Sequence, residues 1–159
     1  MKQISLIGND IGDEGADILA GTLTNNKIVK QVNISSNNIT DKGAIILARL
    51  LKNNNTIKKI SLSHNDIGDI GIVQLVKALE TNRTISQIDL SYNNITDKGA
   101  ITLVELLESN NKITSKIIIE FIDFDNENIS YQVEELLTET LESHNKKQGY
   151  NFKNIHLTL

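Results

Sequence analysis

Hydrophobic and polar positions alternate along the chain in a pattern that repeats every 28 residues. Each copy opens with aliphatic residues at every second position and continues into a polar turn that contains an Asn, an Ile, an Asp and a Gly. The four copies of this segment are ISLIGNDIGDEG, VNISSNNITDKG, ISLSHNDIGDIG and IDLSYNNITDKG, beginning at Ile4, Val32, Ile60 and Ile88. A period of two predicts a short strand with one buried face, so each copy begins with a strand and a turn.

The second half of each copy changes to the helical period. Aliphatic and small residues follow the Gly at spacings of three and four, which places them on one stripe of a helix. In the first copy these residues are Ala16, Leu19, Ala20 and Leu23. The Asp that precedes each stripe is predicted to serve as an N-cap or as a first-turn carboxylate facing the helix dipole. These are Asp13, Asp41, Asp69 and Asp97.

A strand that ends in Asn-x-Ile and leads into a helix, four times in phase, resembles the ribonuclease-inhibitor-like class of leucine-rich repeats. The resemblance covers at least residues 4–115. It implies an α/β leucine-rich-repeat solenoid, a right-handed superhelix with a curved parallel sheet inside and helices outside. It also implies a buried structural ladder of Asn side chains, whose donors and acceptors can satisfy backbone groups in each turn. The ladder residues are Asn9, Asn37, Asn65 and Asn93.

We interpret residues 1–159 as a single domain. Its repeats are 4–31, 32–59, 60–87 and 88–115, followed by a degenerate C-terminal capping repeat at 116–159. A shift of 34 residues aligns Ile122 with Ile88, and Val133 then replaces the Gly, as is usual for atypical terminal repeats. No polar cap precedes the first strand, so we expect an exposed apolar edge there. A fragment of a longer array and a self-associating chain both fit that edge.

The composition mainly excludes several classes of protein and of functional site. The net charge is −4 and there is no Cys, which excludes a broadly basic nucleic-acid binder, a disulfide framework and a cysteine nucleophile. No apolar run approaches the roughly 18 residues of a membrane span, so no membrane partner is expected. The three His residues, His64, His144 and His156, lie far apart in the repeat register, which gives no support to a catalytic pair or a metal cluster. We therefore expect no catalytic residue, no metal and no cofactor, and, without a secretory leader, a cytoplasmic protein.

Acidic residues concentrate toward the C-terminus. Residues 117–159 carry three basic and eight acidic side chains, whereas residues 1–116 are close to neutral. An acidic rim would steer a basic partner surface, and an acidic capping helix kept for solubility explains the asymmetry equally well. The oxygens from Asp123 to Glu134 partly match a calcium loop, but Asn128 replaces the required Gly. We interpret this stretch as a solvated acidic edge.

The concave sheet face is the candidate binding surface, because strand alternation directs the intervening side chains away from the core and toward solvent. Ser35, Ser63 and Ser91 form a column of one residue type on it, which we interpret as structural. The candidate partner-binding residues are Lys59, His64, Asp89, Tyr92, Asp123 and Asp125. Tyr92 is the preferred anchor, because aromatic residues often dominate interfaces.

The sequence thus predicts a non-catalytic protein–protein interaction module that binds a protein partner on the concave face and its turns. Members of the resembled class act as inhibitors, as ligand-sensing parts of immune receptors, as GTPase regulators and as bacterial effectors delivered into host cells, and the resemblance implies that whole range. The alternative is a GTPase-activating protein of the same class, which can use an arginine finger. The only arginines are Arg49, on a predicted helix, and Arg83, in a helix-to-strand loop, both away from the concave mouth.

Overall fold

Strands and helices alternate along the chain, as the repeat predicts. The structure is a computed structural model that describes residues 2–108, 118–119 and 129–147. The strands are β1 (Lys2–Ser5), β2 (Val29–Asn33), β3 (Lys59–Ser61), β4 (Gln87–Asp89) and β5 (Ile118–Ile119). The helices are α1 (Gly12–Leu23), α2 (Asp41–Asn53), α3 (Asp69–Thr81), α4 (Asp97–Glu108) and α5 (Tyr131–Lys147). The predicted α/β solenoid is confirmed.

The strands form one parallel sheet in chain order, β1 to β5. Equivalent residues lie side by side, so that Ile4 pairs with Val32, Val32 with Ile60, and Ile60 with Ile88. Parallel neighbours require a crossover connection, and the helix of each repeat provides it. β1 has β2 as its one neighbour within the described sheet, so its other edge is unpaired there.

The fifth strand differs from the sequence alignment. Ile88 pairs with Ile119, three residues before the Ile122 that a 34-residue shift predicts. Ile118 and Ile119 supply this strand, because β-branched residues favour extended backbone. The predicted shift of 34 residues does hold for the helix that follows, since α4 begins at Asp97 and α5 at Tyr131. The insertion is therefore divided between the two sides of β5.

The core lies between the sheet and the helices. Each inner strand contributes a buried aliphatic residue at an equivalent position, namely Val32, Ile60 and Ile88, and β2 also contributes Val29. The predicted helical stripes are buried opposite them: Ala16, Leu19, Ala20, Leu23, Ala44, Leu47, Ala48, Leu51, Ile72, Leu75, Val76 and Leu79. At about 1.5–3 kcal/mol for each large aliphatic side chain, this repeated burial is the main term that stabilises the array.

Three of the predicted ladder residues, Asn37, Asn65 and Asn93, are buried in the turns after the strands. Asn65 illustrates the geometry: its Oδ1 accepts the N–H groups of Asn37 and Ile39, both at 3.0 Å. Its Nδ2 donates to the carbonyl of Ile34 at 3.1 Å. Equivalent bonds join Asn37 to Asn9, Ile11 and Leu6, and Asn93 to Ile67 and Leu62. Each amide thus ties its own turn to the repeat before it.

Asn9 departs from the expected buried ladder. Its side chain is exposed, and its Nδ2 donates to the carbonyl of Ile7 at 3.1 Å, within its own turn. The reason is directional, because the ladder amides bond toward the preceding repeat, and the described residues place no repeat on that side of Asn9.

A second asparagine ladder runs through the helix-to-strand turns. Asn54 Nδ2 donates to the carbonyl of Leu23 at 2.8 Å, and its Oδ1 accepts the N–H groups of Thr56 and Ile57. Asn82 makes the equivalent bond to Leu51 at 2.6 Å. These side chains close the end of one helix and open the next strand, so both ends of the strands are fixed by amides.

Aspartates join each corner to the next helix. Asp13 accepts the N–H groups of Thr40 and Gly43 at 2.8 and 2.9 Å, and the Thr40 hydroxyl at 2.7 Å. Equivalent bonds join Asp41 to Gly68 and Gly71, Asp69 to Thr96 and Gly99, and Asp97 to Ser130. The predicted position in the first turn is confirmed, whereas the alternative N-cap role is wrong. Each Asp stands in the first turn of its own helix, but its carboxylate caps the helix of the following repeat.

Candidate binding surface

The sheet has one face that the helices do not cover, which we call the open face. Its side chains come from the strand positions that alternate with the buried ones: Gln31, Asn33, Lys59, Ser61, Gln87 and Asp89. All of them are partly or fully exposed. The strand-to-helix turns continue this surface at the positions that equivalent repeats share, Gly8, Ser36, His64 and Tyr92.

A chain of hydroxyl groups crosses the open face. Ser35 Oγ lies 2.9 Å from Ser63 Oγ and 2.8 Å from Ser61 Oγ. Contrary to the expectation that this column faces solvent, Ser35, Ser63 and Ser91 are buried. Strands about 4.8 Å apart bring hydroxyls of adjacent repeats within bonding distance, so that the repeats cover one another's small side chains.

Asp89 is part of this hydroxyl chain. Its Oδ2 accepts the hydroxyl of Ser61 at 2.7 Å. Its Oδ1 accepts the hydroxyl and the N–H of Ser91, at 2.6 and 3.1 Å. The carboxylate is therefore oriented by its own repeat and the preceding one, and it adds a fixed negative charge to the open face.

His64 and Tyr92 stack on each other in the turns. Their ring centroids are 4.1 Å apart and the ring planes differ by 7°. His64 is exposed and Tyr92 retains 38% of its accessible surface. The two residues occupy the same position of adjacent repeats, and the strand spacing of about 4.8 Å is close to a stacking distance. Such a pair contributes roughly 0.5–1.5 kcal/mol beyond its burial.

The backbone beneath this stack lies in the left-handed region. The φ angles are 67° at Gly8, 56° at Ser36, 52° at His64 and 53° at Tyr92. Every described copy thus needs a positive φ at this position, which suits Gly and costs another residue roughly 1–2 kcal/mol. In the sequence, the glycine at one of these four equivalent positions, Gly8, is the signal for this strain. Strained residues concentrate at functional sites, so the aromatic pair marks the turn as a candidate site.

Of the remaining candidate residues, Lys59 and Asp89 lie within the described part of the chain. Lys59 is exposed at the start of β3, five residues before His64, which is roughly 16 Å along an extended chain. Asp123 and Asp125 lie outside the described residues, as does most of the calcium-like stretch. The structure thus brings His64 and Tyr92 together, anchors Asp89 in the hydroxyl chain, and leaves Lys59 at the far end of the strand. Sequence reasoning missed that Ser61 joins Asp89 to the preceding repeat.

The described ranges also bear on metal binding and on membrane insertion. Residues 2–108, 118–119 and 129–147 contain no group of three or more His, Cys, Asp or Glu side chains arranged to hold a metal ion. None of the helices in these ranges combines the length and apolar character needed to cross a membrane.

Comparison with solved structures supports the fold. The structure of Leiomodin-1 Actin-Binding Site 2 has a TM-score of 0.71 and 23% identity, and the match covers 94% of this chain and 83% of that one. The tropomodulin C-terminal domain from Caenorhabditis elegans has a TM-score of 0.69 and 14% identity, covering 94% of this chain and 87% of that one. No curated protein matches the chain by sequence.

A family profile gives the assignment. The profile of the family described as Leucine Rich repeat matches residues 1–20, 25–48, 53–76 and 81–104, which together make up more than half of the chain. The matched segments follow the strand-and-helix units that the structure shows. The chain therefore belongs to the leucine-rich repeat family.

Proposed function

We propose that this protein is a non-catalytic interaction module that binds a protein partner on the open face of the sheet and its adjoining turns. The observation that carries the proposal is the exposed His64–Tyr92 stack on left-handed backbone. A glycine would fit both positions with less strain, so folding alone does not account for two aromatic rings there. Aromatic side chains are enriched among the residues that dominate interfaces.

The stack is also preorganised for binding. Each ring is held by the other, so a partner that packs on them pays little conformational entropy for ordering these side chains. A cationic side chain can lie over the tyrosine ring and near the fixed carboxylate of Asp89. These features support a partner with a basic surface.

Actin is the first partner to test, because the similar leiomodin structure is that of an actin-binding site. The wild type and the His64→Ala, Tyr92→Ala double variant should be compared by co-sedimentation with actin filaments and by anisotropy with labelled actin monomers. We expect wild-type binding that falls at least about tenfold in the variant, which corresponds to about 1.4 kcal/mol. Equal binding by both proteins would contradict a role for the stack.

Catalysis as a GTPase activator has less support. Arg83 Nη1 donates to the carbonyls of Glu80 and Asn82, at 2.8 and 3.3 Å, in the loop after α3. Arg49 is exposed on α2, on the helical side of the molecule. Neither arginine lies on the open face, where it would have to lie to reach a bound GTPase as an arginine finger. The ribonuclease-inhibitor-like class, the role of a bacterial effector delivered into a host cell, the fragment hypothesis and the cytoplasmic location stay predictions.

Self-association is a second proposal, favoured by the apolar surface of the first repeat. Ile7, Ile18 and Ile28 of the first repeat are exposed, and β1 has one unpaired edge within the described sheet. Sedimentation velocity over a range of concentrations should show association that Ile18→Lys abolishes. Ile70→Lys is the matched control, since Ile70 is 62% exposed and Ile18 67%. A wild-type monomer at every concentration would contradict this proposal.

A further inference from the structure

A groove lies on the helical side of the molecule, between α2 and α3. Its volume is about 270 Å³, and it is lined by Ile45, Ala48, Arg49, Lys52, Gln74, Lys77 and Ala78. The buried residues Ala48 and Ala78 form an apolar floor, because their small side chains leave space between the two helices. Arg49, Lys52 and Lys77 are exposed at its rim. The groove therefore combines an apolar floor with three cationic side chains.

No carboxylate lines this groove. Within the part of the chain that the structure describes, the side chains of Arg49, Lys52 and Lys77 form no ion pair. Like charges held close together repel, which is unfavourable unless an anion is bound between them. Lys52 lies in the last turn of α2, where the helix dipole favours a cation. The helix dipole accounts for Lys52 alone and does not explain why three cations lie together.

The repeat itself shows that the cluster is not required by the fold. Arg49 and Lys77 occupy one repeat position, which is filled by Gly21 in the first repeat and by Glu105 in the fourth. The position of Lys52 is filled by Glu80 in the third repeat. The equivalent surface between α3 and α4 would therefore hold Lys77 with Glu80 and Glu105, a mixture of both signs. Only between α2 and α3 does the repeat place three cations and no acid.

We propose that this groove binds an acidic peptide segment of a second protein partner, independently of the open face. Its volume far exceeds the roughly 30 Å³ of a water molecule and approaches the lower limit of about 300 Å³ for ligand pockets. The space thus suits side chains of a peptide better than one small inorganic anion. Carboxylates can pair with the cationic rim, and the methylene groups that carry them can pack on Ala48 and Ala78. The protein as a whole has a net charge of −4, so binding of an acidic peptide requires such a local site.

A fluorescein-labelled oligoglutamate peptide is the probe, with anisotropy measured at low and at physiological salt. The test variant carries Arg49→Gln, Lys52→Gln and Lys77→Gln. The matched control carries Lys42→Gln, Lys58→Gln and Lys98→Gln, which removes the same charge from exposed positions outside the groove. Circular dichroism verifies that both variants are folded, and glutamine preserves helix propensity.

We expect the wild type and the control to bind the peptide with affinities within about twofold of each other, and the groove variant to bind at least about tenfold more weakly. Equal weakening in both variants would show general electrostatic attraction and would overturn the proposal. Absence of wild-type binding would also overturn it, as would inorganic phosphate displacing the peptide at equal concentration, which would indicate a small-anion site. The His64→Ala, Tyr92→Ala variant should bind the peptide normally, so this result is separable from that of the open face.

Discussion

The Asp13 carboxylate and Gly43 fit together across the boundary between the first two repeats. Asp13 Oδ1 accepts the N–H of Gly43 at 2.9 Å, and a Cβ built on Gly43 would lie 2.6 Å from that same oxygen. The Cβ would also lie 2.5 Å from Ile39 Cγ2. Gly71 and Gly99 meet Asp41 and Asp69 in the same way. The recurring Gly therefore makes room for the carboxylate that caps its helix.

Gly43→Ala should destabilise the protein although alanine is the better helix former. The added methyl group has to displace the Asp13 carboxylate or Ile39, and overpacking of this kind costs about 1–3 kcal/mol. Gly21→Ala is the control: it lies in α1 with nothing within 4 Å of its Cβ position, so alanine should stabilise by about 0.5–1 kcal/mol. Urea unfolding measures both changes. Equal stabilisation by the two substitutions would contradict the fit between Asp13 and Gly43.

Asn65→Ala should be among the most destabilising single changes in the array. It removes the acceptor for the N–H groups of Asn37 and Ile39, and it removes the donor to the carbonyl of Ile34. Each buried group left unsatisfied costs roughly 1–3 kcal/mol, so we expect a loss of at least about 3 kcal/mol. Asn9→Ala should cost less than about 1 kcal/mol, because the side chain of Asn9 is exposed. Similar losses in the two variants would refute the directional ladder.

Stability should depend on Asp13 in a defined range of pH. Burial raises the pKa of Asp13, but hydrogen bonds from Thr40 and Gly43 and the charge of Lys42 outweigh burial and hold that pKa below the ordinary 3.8. A carboxyl whose pKa is lowered in the folded state stabilises the fold above 3.8, and this contribution disappears as pH falls through the lowered folded-state value.

The measurement is the difference in unfolding free energy between the wild type and Asp13→Asn, from urea titrations at successive pH values. The difference should be constant near neutrality and should shrink below pH 3.8. Asp17→Asn serves as the control, since Asp17 is exposed on the same helix and its loss changes the net charge equally. A wild-type advantage over Asp13→Asn that persists unchanged in acid would contradict the assignment.

The left-handed turn predicts an unusual order of stability among variants at Tyr92. At a φ of 53°, Tyr92→Gly should be more stable than Tyr92→Ala by about 1 kcal/mol, because only glycine escapes the Cβ strain. Both variants lose the stack with His64, so their difference isolates the backbone term. In a regular helix the order would be reversed. Thermal or urea unfolding that ranks alanine above glycine would show that the turn is not strained.

The repeat period predicted the strands, the helices and the buried helical stripes, because each depends on spacing within one repeat. Contacts between repeats were harder to predict. Spacing placed His64 and Tyr92 in one column, but their stacking depends on the distance between strands and on the left-handed turn. Alternation directed Ser35 away from the core, yet its neighbour Ser63 covers it. The Asp13 carboxylate crosses to the next helix for the same reason: packing of adjacent repeats, rather than local propensity, chooses its partner.

Crosslinking from the stack tests the proposed binding surface most directly. Benzoylphenylalanine placed at Tyr92, in the cells that express the protein, preserves an aromatic ring and reacts with whatever packs against it. The control is the same substitution at Tyr131, which is 68% exposed on α5. We predict a discrete crosslinked protein band from position 92 that is absent from position 131 and is lost when His64→Ala is added. Identical bands from both positions, or no band from position 92, would contradict the open face as the site of protein recognition.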